Sequence, residues 1–356
     1  MATILDVAKY AGVSKSTVSL VINHSPLVKA ETKQRVEEAI AQLGYVYNTN
    51  ARGLRKRETK CLGVIISAES KEAQTYEYDR ETGLFSNNII NGIPAGLGDT
   101  DYGLLTERYC ASEGMNALPS IIKNSRIDGL FLVGGLFDEP FLKELHQRGI
   151  PSVAVGRYYP QIDCVYPDVR KGTCEEVRYL FQNGHTRIAY INCPQNYATS
   201  HSRLNGFLDA CASYKEAGMQ TWMAYCKQNT GAGGYEAIKA LWESGARPDA
   251  VAAANEPIAL GVMRFLYEQR IRIPEDISIA AYDASVLGGY AAPPLTTINI
   301  HKEQMGAIAA SMLLRRLDDP AKAVEAISVT PELVIRSSVI QKCQRHSCQE
   351  ACVMLV

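Results

Sequence analysis

The residues with the clearest chemical potential lie between positions 14 and 19, in the sequence SKSTVS. Lysine, serine and threonine side chains donate hydrogen bonds to phosphate oxygens and base edges, so this segment suits contact with nucleic acid. The patterns of common enzyme sites do not occur in the sequence. There is no GxSxG or HExxH, the glycines of Gly231–Gly234 lack a following Lys-Ser/Thr, and the six histidines have no metal-ligand spacing. The sequence therefore predicts a binding protein and not an enzyme, with no cofactor and no metal site.

Two short helices joined by a tight turn are predicted to carry this polar segment. Thr3 and Asp6 have the spacing of a capping box, which starts a first helix, and Gly12 can take the left-handed conformation that ends it. Ser14 then caps a second helix that runs to about Ile22, with its apolar residues on one side. This pattern is typical of a helix-turn-helix, whose second helix enters the major groove of DNA. An ordinary helical hairpin on a domain surface is the alternative.

A third helix and the charge distribution favour the DNA-binding helix-turn-helix over an ordinary helical hairpin. Residues 32–43 repeat apolar positions at helical spacing and end before Gly44, as a three-helix unit requires. Residues 1–60 contain ten Lys or Arg and five Asp or Glu, whereas the rest of the chain contains 27 and 33. A basic first domain on a mildly acidic body is expected when only the first domain meets phosphate.

Three motifs follow one another in the first third of the chain: VAKYAGVSKSTVSLVIN, then LGY, then NARGL before an apolar strand. In this order they resemble the LacI/GalR (lac-repressor) family of bacterial transcription regulators, and the resemblance extends from residue 3 to about residue 338. It implies a repressor of a carbohydrate-utilisation operon that binds a pseudo-palindromic operator as a homodimer. Leu20 replaces the arginine that the family commonly has, so a weaker preference for guanine is expected there. The implied DNA contacts are Lys15, Ser16 and Leu20 to base edges, and Ser14, Thr17, Ser19, Asn23, Thr32, Tyr45 and Asn48 to the backbone.

Residues 48–60 form a basic linker that is too short for a stable isolated helix, because helices of under about 12 residues are marginal in water. The family resemblance implies a hinge helix that folds when two copies pack together in the minor groove of the operator. Leu54 would be the apolar wedge between base pairs, with Ala51 beside it and Arg52 and Arg55 facing the DNA backbone. The alternative from composition alone is a disordered basic linker.

Short apolar runs alternate with helical stretches from Cys61 onward, for example in CLGVII, DGLFLVG, RIAYIN and DISIAAYD. This alternation predicts parallel sheets with helices on both faces, and two such sets predict two sub-domains with a cleft between them. The fold class is therefore an N-terminal all-α helix-turn-helix domain followed by an α/β body of two Rossmann-like sub-domains, which the resemblance identifies as periplasmic-binding-protein-like. The predicted domains are 1–47 (DNA binding), 48–60 (hinge), 61–340 (body) and 341–356 (disordered tail). Within the body, the N-sub-domain is expected at about 61–158 and 288–320, and the C-sub-domain at about 159–287 and 321–340.

The cleft is expected to bind a small effector. Asp283 and Asn255 each end an apolar strand, so their side chains would point into the cleft, although a polar residue at such a position can simply begin a turn. The family resemblance implies effector contacts at these two residues and at Phe85, His201 and Arg203, where His201 stands in place of the family's effector arginine. It implies a sugar, with a galactoside as the first candidate. The alternatives are a regulator that responds to a purine nucleobase or to a phosphoprotein partner, and a sugar-binding protein without a DNA role.

Cysteine usage and hydropathy predict a cytoplasmic protein without a membrane partner. None of the ten cysteines forms a CxxC pair, which is typical of reduced thiols in an intracellular chain. No apolar run reaches transmembrane length, and the N-terminus lacks a signal pattern. The tail after Ser338 has no leucine heptad, so a dimer is expected rather than a tetramer. An apolar stripe of Ile89, Ile90 and Ile93 is a predicted dimer face, although these residues suit a core equally well.

Overall fold

The computed structural model of the protein describes residues 2–22, 25, 27–45, 59–68, 76–110, 118–214 and 219–342. The chain divides into two compact units, Met1–Thr59 and Lys60–Val356. Among the described residues, no helix is both long and apolar enough to cross a membrane. Several predicted positions lie outside the described residues, namely Asn23, Asn48, Ala51, Arg52, Leu54, Arg55 and most of the predicted tail.

The first unit consists of three helices, α1 (Ile4–Ala11), α2 (Lys15–Ile22) and α3 (Ala30–Leu43). The capping box is present, because the Thr3 backbone N–H donates to the Asp6 carboxylate at 2.8 Å and the Asp6 N–H donates to the Thr3 hydroxyl at 3.3 Å. Gly12 and Gly44 adopt the left-handed conformation at the ends of α1 and α3. The helices enclose a small apolar core of Val7, Ala8, Ala11, Val18, Val21, Val36 and Ala39.

The second unit contains two α/β lobes, of which lobe I is built on six parallel strands. In sheet order the strands are β11 (Ala326–Val329), β5 (Asp163–Pro167), β4 (Ser152–Val155), β3 (Gly129–Val133), β1 (Cys61–Ala68) and β2 (Gly103–Cys110). The helices of lobe I are α4 (Tyr76–Leu97), α5 (Ser120–Lys123), α6 (Glu139–Gln147) and α12 (Lys302–Asp318). Strands β3 and β4 are buried along their whole length, as strands covered by helices on both faces must be.

Lobe II has a second six-stranded sheet, parallel except for one antiparallel edge strand. In sheet order the strands are β12 (Glu332–Val334), which is the antiparallel one, β10 (Thr296–Asn299), β9 (Ser278–Tyr282), β8 (Ala250–Ala253), β6 (Arg187–Asn192) and β7 (Gln220–Tyr225). The helices are α7 (Val169–Gln182), α8 (Ser200–Ser213), α9 (Gly231–Glu243), α10 (Glu256–Glu268) and α11 (Val286–Tyr290). The predicted fold class, a helical N-terminal domain followed by two parallel α/β sheets, is confirmed.

The division between the lobes differs from the predicted sub-domain boundaries. Strands β5 and β11 belong to lobe I, although they fall within the predicted C-sub-domain ranges 159–287 and 321–340. Strand β10 belongs to lobe II, although it falls within the range 288–320 predicted for the N-sub-domain. The reason is strand pairing, since β5 pairs with β4, its neighbour in the chain, and with the distant β11, while β10 pairs with β9, the strand that precedes it. The chain therefore passes between the lobes three times, after β5, after β10 and after β11.

Helices α4 and α12 pack closely in lobe I because glycines leave room for neighbouring backbone. A Cβ atom on Gly92 would collide with the Glu303 carbonyl group. Ile89 and Ile93 are fully buried in the core at this contact, and Ile90 packs against it. The prediction of an isoleucine dimer face is therefore wrong, and these side chains stabilise the inside of lobe I.

Candidate DNA-contact face and effector cleft

The start of α2 is held by Ser14. Its hydroxyl oxygen accepts a hydrogen bond from the Thr17 backbone N–H at 3.1 Å and lies 2.9 Å from the Thr17 hydroxyl. Val18 and Val21, on the same helix, are buried in the core of the unit. The cap and the two valines together set the rotation of α2 about its axis, and its remaining side is turned to solvent.

The solvent side of α2 carries the residues predicted to contact bases. Lys15 and Ser16 are exposed, and Leu20 is 40% exposed. Residues four apart on a helix are neighbours, so Leu20 lies next to Ser16 on this face. The structure thus brings the three residues together on one surface, and an α-helix with such a face fits the major groove of about 12 Å.

The residues predicted to contact the DNA backbone differ in their exposure to solvent. Thr17 and Ser19 are half-buried on α2, and Thr32 is half-buried in the first turn of α3. Tyr45, which follows α3, packs against the apolar core of the unit. Its ring therefore has a structural role in addition to the predicted contact to DNA.

Asp283 follows β9 in a turn with an unusual backbone conformation. Asp283 and Ala284 both have positive φ angles, of 109° and 47°, a conformation that strains residues with a side chain. The Asp283 N–H donates to the Ile298 carbonyl at 2.8 Å, and its carbonyl accepts a hydrogen bond from Lys302 Nζ at 2.5 Å. These bonds fix the backbone at the carboxyl end of β9, the edge where ligands of such sheets bind. Asp283 itself is half-buried.

Asn255 is the N-cap residue of α10. Its Oδ1 accepts a hydrogen bond from the Ile258 N–H at 2.8 Å, and its Nδ2 donates to Asn229 Oδ1 at 2.7 Å. Both of its polar side-chain atoms therefore have partners within the protein, as expected for a polar residue that simply begins a turn after a strand. One amide hydrogen of Nδ2 remains for a ligand.

Arg203 and His201 lie on opposite sides of α8. Arg203 is 7% exposed, and its guanidinium carbon lies 4.2 Å from the centre of the Tyr282 ring. Its Nε and Nη1 atoms have no hydrogen-bond partner among the described residues. His201 is exposed, because two residues along a helix turn a side chain by about 200°. The structure therefore places Arg203, and not His201, beside Tyr282 and Asp283.

Lobe I contributes Phe85 and two glycines at the ends of neighbouring strands. Phe85 lies over Gly156, where an added Cβ would be 3.1 Å from Phe85 Cζ. Gly135 faces lobe II, since a Cβ there would be 3.8 Å from the Ala198 Cβ. Gly156 has a φ angle of 105°, so both the backbone and the ring disfavour a larger residue beside Phe85.

Sequence reasoning missed Glu176, which lies on α7 and is fully buried. Burial raises the pKa of its carboxyl group to about 8, while Arg203 and a hydrogen bond from the Ala253 N–H oppose the rise. The spacing of Glu176 from Val177 and Leu180 places it on the buried stripe of the helix. That periodicity is a signal that could have identified it.

The chain matches known proteins over nearly its whole length. Residues 3–48 match the model described as bacterial regulatory proteins, lacI family, and residues 177–339 match a periplasmic binding protein-like domain. The ribose operon repressor of Escherichia coli (strain K12) is 32% identical over 350 residues, which are 95% of this chain and 100% of that protein. The HTH-type transcriptional repressor PurR of Edwardsiella ictaluri (strain 93-146) is 33% identical over 344 residues, 95% of this chain and 97% of that protein.

Among solved structures, the lac repressor dimer bound to operator and the anti-inducer ONPF has the same fold. Its TM-score is 0.79 at 24% sequence identity, over 95% of this chain and 99% of that one. The relatives are repressors, so the prediction of a regulator rather than an enzyme is confirmed. With its helix-turn-helix unit and two-lobed body, the chain belongs to the LacI family of bacterial transcription regulators.

Proposed function

We propose that this chain represses transcription in the bacterial cytoplasm by binding a pseudo-palindromic operator as a homodimer. The proposal rests on α2, whose start is capped, whose apolar side is buried and whose polar side faces solvent. Lys15, Ser16 and Leu20 contact base edges. Ser14, Thr17, Ser19, Asn23, Thr32, Tyr45 and Asn48 contact the DNA backbone. In the hinge, Leu54 is the proposed wedge in the minor groove, with Ala51 beside it, and Arg52 and Arg55 face the DNA backbone.

Selection of sites from a random duplex library, followed by fluorescence anisotropy, tests sequence-specific binding. Lys15→Ala should weaken binding to the selected site by roughly tenfold, since one charged contact is lost. Lys33→Ala is the matched control, because Lys33 lies on α3 and pairs with Glu37 at 3.8 Å. Equal affinity of the wild type for selected and random duplexes would contradict the proposal.

For the homodimer we propose a face on lobe II formed by Val286, Leu287 and Tyr290, which we call the α11 face. These side chains are 69%, 47% and 86% exposed on one short helix. Contiguous exposed apolar residues commonly mark protein interfaces. The helix itself is anchored, because the Ser285 N–H donates to the buried Glu256 carboxylate at 2.7 Å. A second copy of the chain is the proposed partner, as the lac repressor neighbour is a dimer.

We further propose that a sugar binds the cleft and modulates operator affinity. Arg203 has buried donors without a partner among the described residues, Asp283 offers a half-buried carboxylate, and Phe85 supplies an apolar surface from lobe I. Donors, acceptors and an aromatic face together suit a ligand with several hydroxyl groups. D-Ribose is the first probe, since one relative is a ribose operon repressor. D-Galactose and lactose test the galactoside expectation.

A purine nucleobase is the second candidate, because a PurR repressor is about as similar to this chain as the ribose operon repressor. Isothermal titration of D-ribose, D-galactose, lactose, hypoxanthine and guanine separates the candidates. Operator binding with and without the bound compound then distinguishes induction from co-repression. If none of these compounds binds the wild type, the proposed effector class is wrong, while the DNA-binding proposal stands on its own measurement.

A further inference from the structure

The inside of lobe II contains buried polar side chains that DNA binding does not use. They lie where α7 and α8 meet the sheet near the carboxyl ends of its strands. We call them the interior cluster, and its members are Thr173, Glu176, Tyr190, Arg203 and Tyr282. Every member is more than nine-tenths buried, and Tyr282 directly precedes Asp283 of the cleft. The cluster therefore joins the interior of the lobe to the proposed effector site.

Glu176 and Arg203 both keep polar atoms without partners. One carboxylate oxygen of Glu176 accepts a hydrogen bond from the Ala253 N–H at 3.2 Å, whereas Oε2 has no partner among the described residues. The Arg203 guanidinium is held by stacking on Tyr282, and its Nε and Nη1 are likewise unpaired. The carboxylate and the guanidinium thus share one cluster without being hydrogen-bonded through these atoms. Unpaired buried polar atoms are unfavourable, so each group gains by finding a partner.

Arg203 is the cation of the interior cluster. The groups that face Glu176 and Arg203 are Thr173 from α7, Tyr190 from β6, the Cys193 thiol just after β6, Tyr282 from β9, and Asp283 just after β9. The nearby cation Lys302 already donates to the Asp283 carbonyl. In a low-dielectric interior the attraction between an ionised Glu176 and Arg203 is several times stronger than at the surface. An ionised Glu176 therefore pulls on the same guanidinium that the cleft uses.

We propose that Glu176 is a positioning residue that competes with the effector for the guanidinium group of Arg203. The inference rests on the proposed function, in which Arg203 donates hydrogen bonds to the effector. When Glu176 is neutral, the guanidinium is available to a ligand in the cleft. When Glu176 is ionised, it draws the guanidinium toward the interior of lobe II. Effector binding and ionisation of Glu176 thus oppose each other.

The competition makes effector affinity depend on pH. Because burial raises the pKa of Glu176 to about 8, its charge changes close to neutral pH. A bound effector takes Arg203 away from the carboxylate, which raises the pKa of Glu176 further, so binding is accompanied by proton uptake. Linkage then requires affinity to fall as pH rises from about 7 to 9. Each pKa unit of coupling corresponds to about tenfold in affinity.

The first test needs no effector. The side-chain Nε–H signals of 15N-arginine-labelled protein are recorded from pH 6 to 9, with Arg203→Lys to assign the Arg203 signal. The wild-type signal should shift with a midpoint near the pKa of Glu176. In Glu176→Gln it should stay constant, since glutamine keeps the shape and the acceptor for Ala253 but cannot ionise. Glu175→Gln, one residue away, is the matched control and should titrate like the wild type. A constant wild-type signal, or an unchanged titration in Glu176→Gln, overturns the proposal.

The second test uses D-ribose and isothermal titration at pH 6.5, 7.5 and 8.5, in buffers of different ionisation enthalpy. The wild type should lose up to about fourfold in affinity over this range, the most that a carboxyl group with a pKa of about 8 can produce between these pH values, and should take up a proton. Glu176→Gln should bind with constant affinity and no proton uptake. If the affinity for D-ribose depends on pH in the same way in wild type and Glu176→Gln, the proposed competition for Arg203 is wrong. Failure of ribose to bind at every pH contradicts the ribose proposal alone, and the arginine signal then decides the role of Glu176.

Discussion

At the residue scale, Leu20 is the apolar member of the proposed base-contact set on α2. It is an apolar residue, 40% exposed, on the face that also carries Lys15 and Ser16. A leucine cannot donate hydrogen bonds, so its favourable contact in a major groove is apolar, for example with a thymine methyl group. An arginine at the same place would present a bidentate donor to guanine.

We therefore expect Leu20→Arg to move the preferred base at one position of each half-site to guanine. Guanine should be favoured over the other bases by about 1–3 kcal/mol of binding free energy, the usual value for a bidentate contact. Site selection with wild type and variant measures it, and Leu5→Arg, which changes an exposed leucine of α1, is the control. An identical selected site for wild type and Leu20→Arg would remove Leu20 from the base-contact set.

The buried carboxyl group of Glu176 should make the free energy of unfolding depend on pH. Its pKa is raised by burial from 4.5 to about 8 in the folded chain, whereas in the unfolded chain it is near its ordinary value. The folded protein therefore binds the proton more tightly, and its contribution to stability is lost as pH rises from about 5 to 8.

Glu176→Gln should remove this loss, so the variant should gain stability over the wild type as pH rises. The expected result is a similar melting temperature at pH 5.5 and a higher one for the variant at pH 8.5. Thermal unfolding across this range measures it, with Glu175→Gln as the control. If the melting temperatures of wild type and variant differed by the same amount at all pH values, the pKa of Glu176 would not change on unfolding.

At the scale of the elements, close backbone contact determines how α4 and α12 pack. A Cβ on Gly92 would overlap the carbonyl group of Glu303, and backbone cannot move aside as a side-chain end can. The helices would have to separate, which would open the core around Ile89 and Ile93.

Gly92→Ala should therefore lower the free energy of unfolding by more than about 2 kcal/mol, the range of overpacked or cavity-containing cores. Gly103→Ala is the control, because an added Cβ at this exposed strand position meets no atom within 4 Å. Denaturant unfolding compares the two. Equal stability of both variants would show that the α4–α12 contact adapts easily.

For the whole molecule, we propose that the arrangement of the two lobes links the cleft to the proposed dimer face. Three chain passages connect the lobes, and Asp283 stands three residues before the α11 face. A ligand that prefers one lobe arrangement shifts the population of arrangements by its difference in affinity for them. Such a shift would change the distance between the two DNA-contact units of a dimer.

Tyr290→Asp is expected to weaken the dimer, since it places a charge in an apolar interface. The variant should sediment as a monomer at concentrations where the wild type is a dimer, and should lose more than about tenfold in operator affinity, because two half-sites are then bound independently. Leu208→Asp, which changes an exposed leucine of α8, is the control. A dimeric Tyr290→Asp would place the interface elsewhere.

The sequence alone was sufficient for the local features of this protein. The Thr3–Asp6 capping box, the turn at Gly12 and the alternation of strands and helices depend on residues close together in the chain. Local hydrogen bonds and hydrophobic period determine such features, so the helix-turn-helix and the α/β fold class could be predicted. Asp283 could also be placed at a strand end by the same reasoning.

Only the tertiary structure decided which lobe β5, β10 and β11 join. The pairing of β5 with β11 links residues more than a hundred positions apart, and the lobe of β10 depends on its pairing with β9. The tertiary structure also decided that Ile89 and Ile93 are core, since their burial depends on α12 packing against α4. The same holds for the positions of His201 and Arg203. Their residue types suit a ligand equally, but the rotation of α8 against the sheet buries one beside Tyr282 and exposes the other.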